Sequence, residues 1–100
     1  MPPVEDIAAK SDRVAAFLKG LANPHRLQIL CLLAVAPRSV GELIAGTGIA
    51  QTSMSQHLAK LKDEGIVDFT RSHRTLHYRI VHPATAEIME ILYEHFCRKG

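Results

Sequence analysis

The stretch SVGELIAGTGIAQTSMSQHLAKLKDEGIV, residues 39–67, decides the fold. It opens on Ser39, with Glu42 three residues later, the capping-box pair that starts a helix. A short helix, ELIAG, follows, and Gly46 and Gly48 supply a tight turn. A second helix begins near Gln51 and stops at Gly65, a C′ glycine. At about 100° per residue, Met54, Leu58 and Leu61 fall on one face, which must point to a core. Opposite lie Thr52, Gln56 and Ala59, flanked by Ser55 and Lys60, with Gln51 just ahead of them. A solvated helix would place Lys and Glu there. This face is small, polar and nearly uncharged at its N-terminal end, and those groups suit the edges of bases. Gln bonds adenine in bidentate fashion, Ser and Thr accept several base edges, and short side chains permit close approach. Lys60, further along, is placed to reach phosphate.

The flanking sequence completes the pattern. Residues 4–21 carry Ile7, Val14, Phe17, Leu18 and Leu21 at helical spacing. Asn23-Pro24 restarts the chain as an N-cap and a first helical residue. The second helix is nearly all apolar, with Leu27, Leu30, Cys31 and Ala34 on one face and Ile29, Leu32 and Leu33 beside it, and it predicts the centre of the core. Pro37 ends it. Ile66–Arg71 and Thr75–Val81 alternate apolar and polar residues around Ser72-His73-Arg74, which predicts a hairpin. Pro83 opens a last helix over 83–97. The fold expected is mainly α with a β-hairpin wing: a winged helix-turn-helix in the order α-α-α-α-β-β-α, as one domain over residues 1–100.

Composition supports a globular chain, since 47% of its 100 residues are hydrophobic. A core of this size is only marginally self-sufficient, so a partner subunit would help. In the last helix, Ile88, Leu92 and His95 form one stripe and Met89, Tyr93 and Phe96 another. Two stripes predict one face for the core and one for a second copy. No stretch is long and apolar enough to span a bilayer, and the first ten residues do not read as a secretory signal. A cytoplasmic protein without membrane contact is expected, with Cys31 and Cys97 as thiols at rest. Net charge is only +2, but it is unevenly spread. Residues 69–80 hold Arg71, Arg74 and Arg79 and no acid, while residues 84–95 hold Glu87, Glu90 and Glu94 and no Lys or Arg. Arg74, at the hairpin turn, is the wing residue expected on DNA.

LANPHRLQIL, the 39–67 stretch and RTLHYRI together resemble the ArsR/SmtB family of bacterial repressors. The most specific element is the signature formed by Ser55, His57, Leu58, Leu61, Gly65, Ile66 and Val67. The resemblance covers residues 14–97. It implies a homodimer built on the first and last helices, a palindromic double-stranded operator contacted by the fourth helix and the wing, and an inducer that releases the DNA.

The inducer follows from what the family's sensor positions hold here. One family metal site uses Cys-x-Cys beside the third helix, and residues 38–43 contain no cysteine. The other falls on His82, Ala84, His95 and Arg98, where only two potential ligands remain. No metal and no other cofactor is expected. On its own, Cys31 reads as a small hydrophobe and Cys97 as a terminal residue. Their positions, however, resemble the dithiol branch of the family, the persulfide and polysulfide sensors of the SqrR/BigR type and the related HlyU-type regulators. That resemblance makes Cys31 and Cys97 the sensor, bridged within one protomer by a disulfide or a short polysulfide, with a persulfide, a polysulfide or another thiol oxidant such as peroxide as the inducer. Apolar burial is expected to raise the Cys31 pKa. Arg98 and Lys99 would lower that of Cys97, against the helix dipole, and Cys97 is expected to attack first. The alternatives are a metal-responsive repressor and a HlyU-type activator that displaces another repressor. A small thiol enzyme is disfavoured: the chain has no Cys-x-x-Cys and no glycine loop for an oxyanion hole.

Overall fold

A computed structural model describes residues 4–98. Its elements run α1 (Val4–Leu21), α2 (Pro24–Val35), β1 (Arg38–Ser39), α3 (Val40–Thr47), α4 (Gln51–Asp63), β2 (Val67–Ser72), β3 (Thr75–Ile80) and α5 (Pro83–Phe96). The helices and the hairpin fall where the sequence places them. The strand β1 is an addition. Two residues are too few to show alternation, yet they pair antiparallel with β3, Arg38 opposite Tyr78 and Ser39 opposite His77. The sheet order is therefore β1-β3-β2. The hairpin turn is also tighter than expected. Ser72 pairs with Thr75, leaving only His73 and Arg74 between the strands. His73 takes φ 59°, the left-handed backbone that so short a connection demands.

Local chemistry sets the helix ends. The Asn23 side chain accepts from the amides of His25 at 2.9 Å and Arg26 at 3.1 Å. The capping box closes both ways: the Ser39 amide donates to Glu42 Oε1 at 2.8 Å and the Glu42 amide to Ser39 Oγ at 3.1 Å. After α4, Gly65 adopts φ 73°, as a C′ glycine should. The turn between α3 and α4 rests on Gly48, at φ 75°. Gly46 does something else. It lies inside α3, and a Cβ there would come within 2.6 Å of Leu32 Cδ1, so its role is to let α3 pack against α2.

Ile29, Leu30, Leu43, Met54, Leu58, Leu61, Ile66 and Val67 are almost completely buried and lock α2, α3, α4 and the start of the wing together. Met54, Leu58 and Leu61 are the α4 residues the helical wheel selects. In α2 the inward face differs from expectation. Ile29, Leu30 and Leu33 are buried, whereas Cys31 and Ala34 are exposed. A helix apolar on nearly every side carries little information about which side turns inward.

The stripes of α5 also divide differently. Met89 is buried, with Ile88 and Leu92 half-buried beside it, while Ile91, Tyr93 and Phe96 face outward. On α1, Val4, Ile7, Val14 and Leu18 are exposed. The Cα radius of gyration is 14.6 Å, against about 13 Å for a compact chain of this length. Among the described residues, exposed large apolar side chains thus concentrate on the two terminal helices.

Candidate nucleic-acid interface and thiol pair

The first turn of α4 has no side-chain cap, because Ala50 precedes it, so its amides have no side-chain acceptor. Around that turn, Gln51, Thr52, Ser55 and Gln56 are all exposed. The wing curls toward the same helix. A groove of about 750 Å³ is lined by Gln51, Ser55 and Lys62 of α4, by Ser39 and Gly41 at the start of α3, and by Arg74 at the hairpin turn. The structure therefore brings Gln51, Ser55 and Arg74, distant in sequence, onto one concave surface. Thr52, Gln56 and Lys60 stand on the exposed part of α4 outside that lining.

Lys60 is engaged: its ammonium lies 3.4 Å from Glu64, one turn on. Such a half-exposed pair is worth well under about 1 kcal/mol, so a phosphate can displace it. Lys62 is the cation that sequence reasoning missed. It sits 3.8 Å from Asp68 and 5.5 Å over the Phe69 ring, at the edge of the groove. The signal was present, since Ser55, Ala59 and Lys62 follow one another at helical spacing. The wing contributes exposed Arg71, His73 and Arg74 with no acid among them. Its root is pinned to the core by Tyr78, whose ring packs 5.4 Å from that of Phe69.

The two thiols occupy neighbouring helices. Cys31 is on the outer side of α2 and Cys97 is the C-cap of α5; both are exposed and unbridged. Partial burial still pushes the Cys31 thiol up, and the negative charge of a Cys97 thiolate pushes it further. The expectation that Cys31 sits inside the core is corrected, but the direction of its shift is as expected. Arg98, expected to activate Cys97, is held by the Glu94 carboxylate one turn back. Lys99 lies outside the described residues.

The residues at the second metal position have other occupations. His82 caps α5, its Nδ1 accepting from the Ala84 amide at 3.1 Å, and its ring stacks 4.4 Å from Phe17. His95 is exposed on the last turn of α5. Among the described residues no three His, Cys, Asp or Glu side chains gather to hold an ion, and no helix is long and apolar enough to cross a membrane.

Known proteins share this fold. Residues 23–68 match the family described as bacterial regulatory protein, arsR family. The chain is 37% identical over 98 residues to the HTH-type transcriptional regulator YgaV of Escherichia coli, covering 97% of this chain and 99% of that one. It is 40% identical over 95 residues to the biofilm growth-associated repressor of Agrobacterium fabrum, covering 95% and 81%. Among solved structures, the transcriptional repressor BigR from Xylella fastidiosa superposes with a TM-score of 0.88 at 36% identity, covering 96% of this chain and 98% of that one. Reduced HlyU from Vibrio cholerae gives a TM-score of 0.88 at 33% identity, covering 95% and 100%. The homodimeric winged helix-turn-helix DNA-binding domain of Mb0332 from Mycobacterium bovis gives 0.79 at 35%, covering 93% and 86%. The capped helix-turn-helix, the wing folded against it and similarity to these regulators over nearly the full length agree: the chain is a winged helix-turn-helix transcriptional regulator of the ArsR family, similar to its BigR and HlyU members.

Proposed function

We propose that this protein is a homodimeric repressor that binds a palindromic operator when Cys31 and Cys97 are reduced and releases it when they are bridged. The observation that carries this reading is the placement of the two thiols. One lies on the core helix α2 and the other caps α5, a helix whose outer side is apolar and exposed. A bridge between them would change the angle between α5 and the DNA-reading half of the molecule, and so the separation of two recognition helices across a dimer. A tenfold loss of affinity requires only about 1.4 kcal/mol of difference between the two forms.

The chemistry balances with an organic trisulfide as oxidant. The Cys97 thiolate attacks the central sulfur, expels one thiolate and forms a mixed trisulfide. The Cys31 thiolate then attacks the same central sulfur and expels the second thiolate. Two protein thiols and one trisulfide become a protein trisulfide bridge and two small thiols. Cys97 leads because Cys31, with its raised pKa, is the poorer nucleophile at neutral pH. The experiment is operator release, followed by fluorescence anisotropy on a duplex selected by the reduced protein from a random pool, before and after the trisulfide. Release by zinc alone would favour a metal sensor instead.

On the DNA side, Gln51, Thr52, Ser55 and Gln56 read bases while Lys60 and Arg74 meet phosphate. Gln56→Ala is expected to cost about 1–3 kcal/mol on the selected duplex and little on random DNA. Equal losses on both would take Gln56 out of base readout. Arg74→Ala is expected to weaken binding to any sequence and to lower the salt dependence by about one phosphate contact. An unchanged slope with unchanged affinity would remove the wing from the interface.

A further inference from the structure

We infer that Arg26 is the positioning residue of the recognition helix: through His57 it ties α4 to the C-terminal end of α1, and protonation of His57 releases the tie. The inference rests on the DNA-binding reading of α4. Arg26 Nε donates to the Gly20 carbonyl at 2.7 Å and Nη2 to the Lys19 carbonyl at 3.2 Å. These belong to the last turn of α1, whose carbonyls have no partners inside the helix and favour a cation. The remaining arm of the fork, Nη1, lies 3.4 Å from His57 Nδ1. On the far side of that ring, His57 Nε2 lies 3.3 Å from His25 Nδ1, the two rings meeting edge to face at 87°. Asn23 caps the backbone of both His25 and Arg26, so the α2 end of the clasp is fixed.

One proton assignment satisfies the whole chain. A guanidinium only donates, so His57 Nδ1 must accept. Its Nε2 then carries the proton and donates to His25. The same assignment argues against a metal between the two histidines, because the lone pair an ion would need on His57 is turned toward Arg26. A second proton on His57 would point an N–H at the guanidinium and set two cations against each other. Desolvation by burial first, then the charges of Arg26 and His25, hold His57 below the usual imidazole value. Those two α2 residues are the titratable and charged groups acting on it. The α1 groups reaching the clasp are the Lys19 and Gly20 carbonyls, and Glu64, further along α4, is occupied by Lys60. His57 sits directly between Gln56, on the exposed face, and Leu58, in the core. Opening the clasp therefore frees α4 where it reads DNA, relative to a helix whose exposed apolar face we assign to the dimer.

The sign is fixed by linkage. A depressed histidine favours the folded, clasped state above the usual imidazole range, and that preference is lost as pH falls through the folded value. The chain holds six histidines, so the pH profile of wild type alone does not isolate His57. The test compares wild type with His57→Gln, whose amide accepts from Arg26, donates to His25 and does not titrate. Affinity for the selected duplex is measured at about pH 8 and about pH 5.5. Near pH 8 the two proteins are expected to agree within about threefold; near pH 5.5 wild type is expected to bind at least about fivefold more weakly than the variant. Parallel profiles would overturn the inference and leave the DNA-binding reading standing. No binding by either protein at the higher pH would overturn that reading itself. Should the variant fail to fold, the imidazole nitrogen spectrum of wild-type His57 decides. A proton on Nε2 at high pH supports the clasp, and a proton on Nδ1 refutes it.

Discussion

Cys31→Ser and Cys97→Ser are each expected to bind the selected duplex as the reduced wild type does and to keep it in the presence of an organic trisulfide. Wild type is expected to lose at least about tenfold in affinity under the same treatment, equivalent to about 1.4 kcal/mol. Both cysteines are exposed, so serine, which is nearly isosteric, should cost little stability at either position. Loss of the response in both variants follows from the two-step chemistry. Without Cys31 the mixed trisulfide on Cys97 cannot resolve into a bridge, and without Cys97 the Cys31 thiol, still pushed up by its partial burial, has no partner. If either variant releases DNA as wild type does, the bridge between these two residues is not the switch.

A second large effect is expected from Ile91→Glu. Ile91 is 56% exposed in the protomer, and it lies on α5 with Tyr93 and Phe96, also exposed. Glutamate there costs the isolated protomer little packing, because more than half of the side chain already faces water, and repulsion from Glu87 and Glu94 one turn away adds about 0.2–0.5 kcal/mol per pair. In a symmetric dimer the same carboxylate meets apolar surface, and the two-fold axis repeats the penalty. The variant is expected to sediment as a monomer at micromolar concentration. Its operator affinity is expected to fall by about 10²–10⁴, since the two half-sites lose the advantage of being engaged together. A stable dimer with undiminished affinity would move the interface away from α5.

Much of this architecture is written in local signals. The capping box at Ser39 and Glu42, the Gly65 stop and the Met54, Leu58 and Leu61 face all depend on residues within a few positions of one another, and all appear as the sequence reads. What was not legible depends on distant partners. Two residues of β1 acquire strand geometry only by pairing with β3. The close approach that Gly46 permits is defined by Leu32, in another helix. Cys31 turned outward in a helix apolar on most sides, where periodicity has little contrast. The Arg26–His57 contact joins residues 31 positions apart and left no local trace. In the candidate interface, the exposure of Gln51, Thr52, Ser55 and Gln56 followed from the helical wheel. The place of Lys62 in the groove needed the wing to be folded back.

The central claim is that one bridge within a protomer sets operator affinity, and its most direct test measures both quantities on the same sample. Wild-type protein is titrated with an organic trisulfide. At each step the fraction of chains carrying an intrachain Cys31–Cys97 bridge is counted by intact and peptide mass spectrometry, and the fraction of selected duplex bound is read by anisotropy. The account predicts that DNA release follows the bridged fraction in proportion and reverses when a thiol reductant removes the bridge. Release that precedes bridging, or fully bridged protein that still holds the operator, would contradict it.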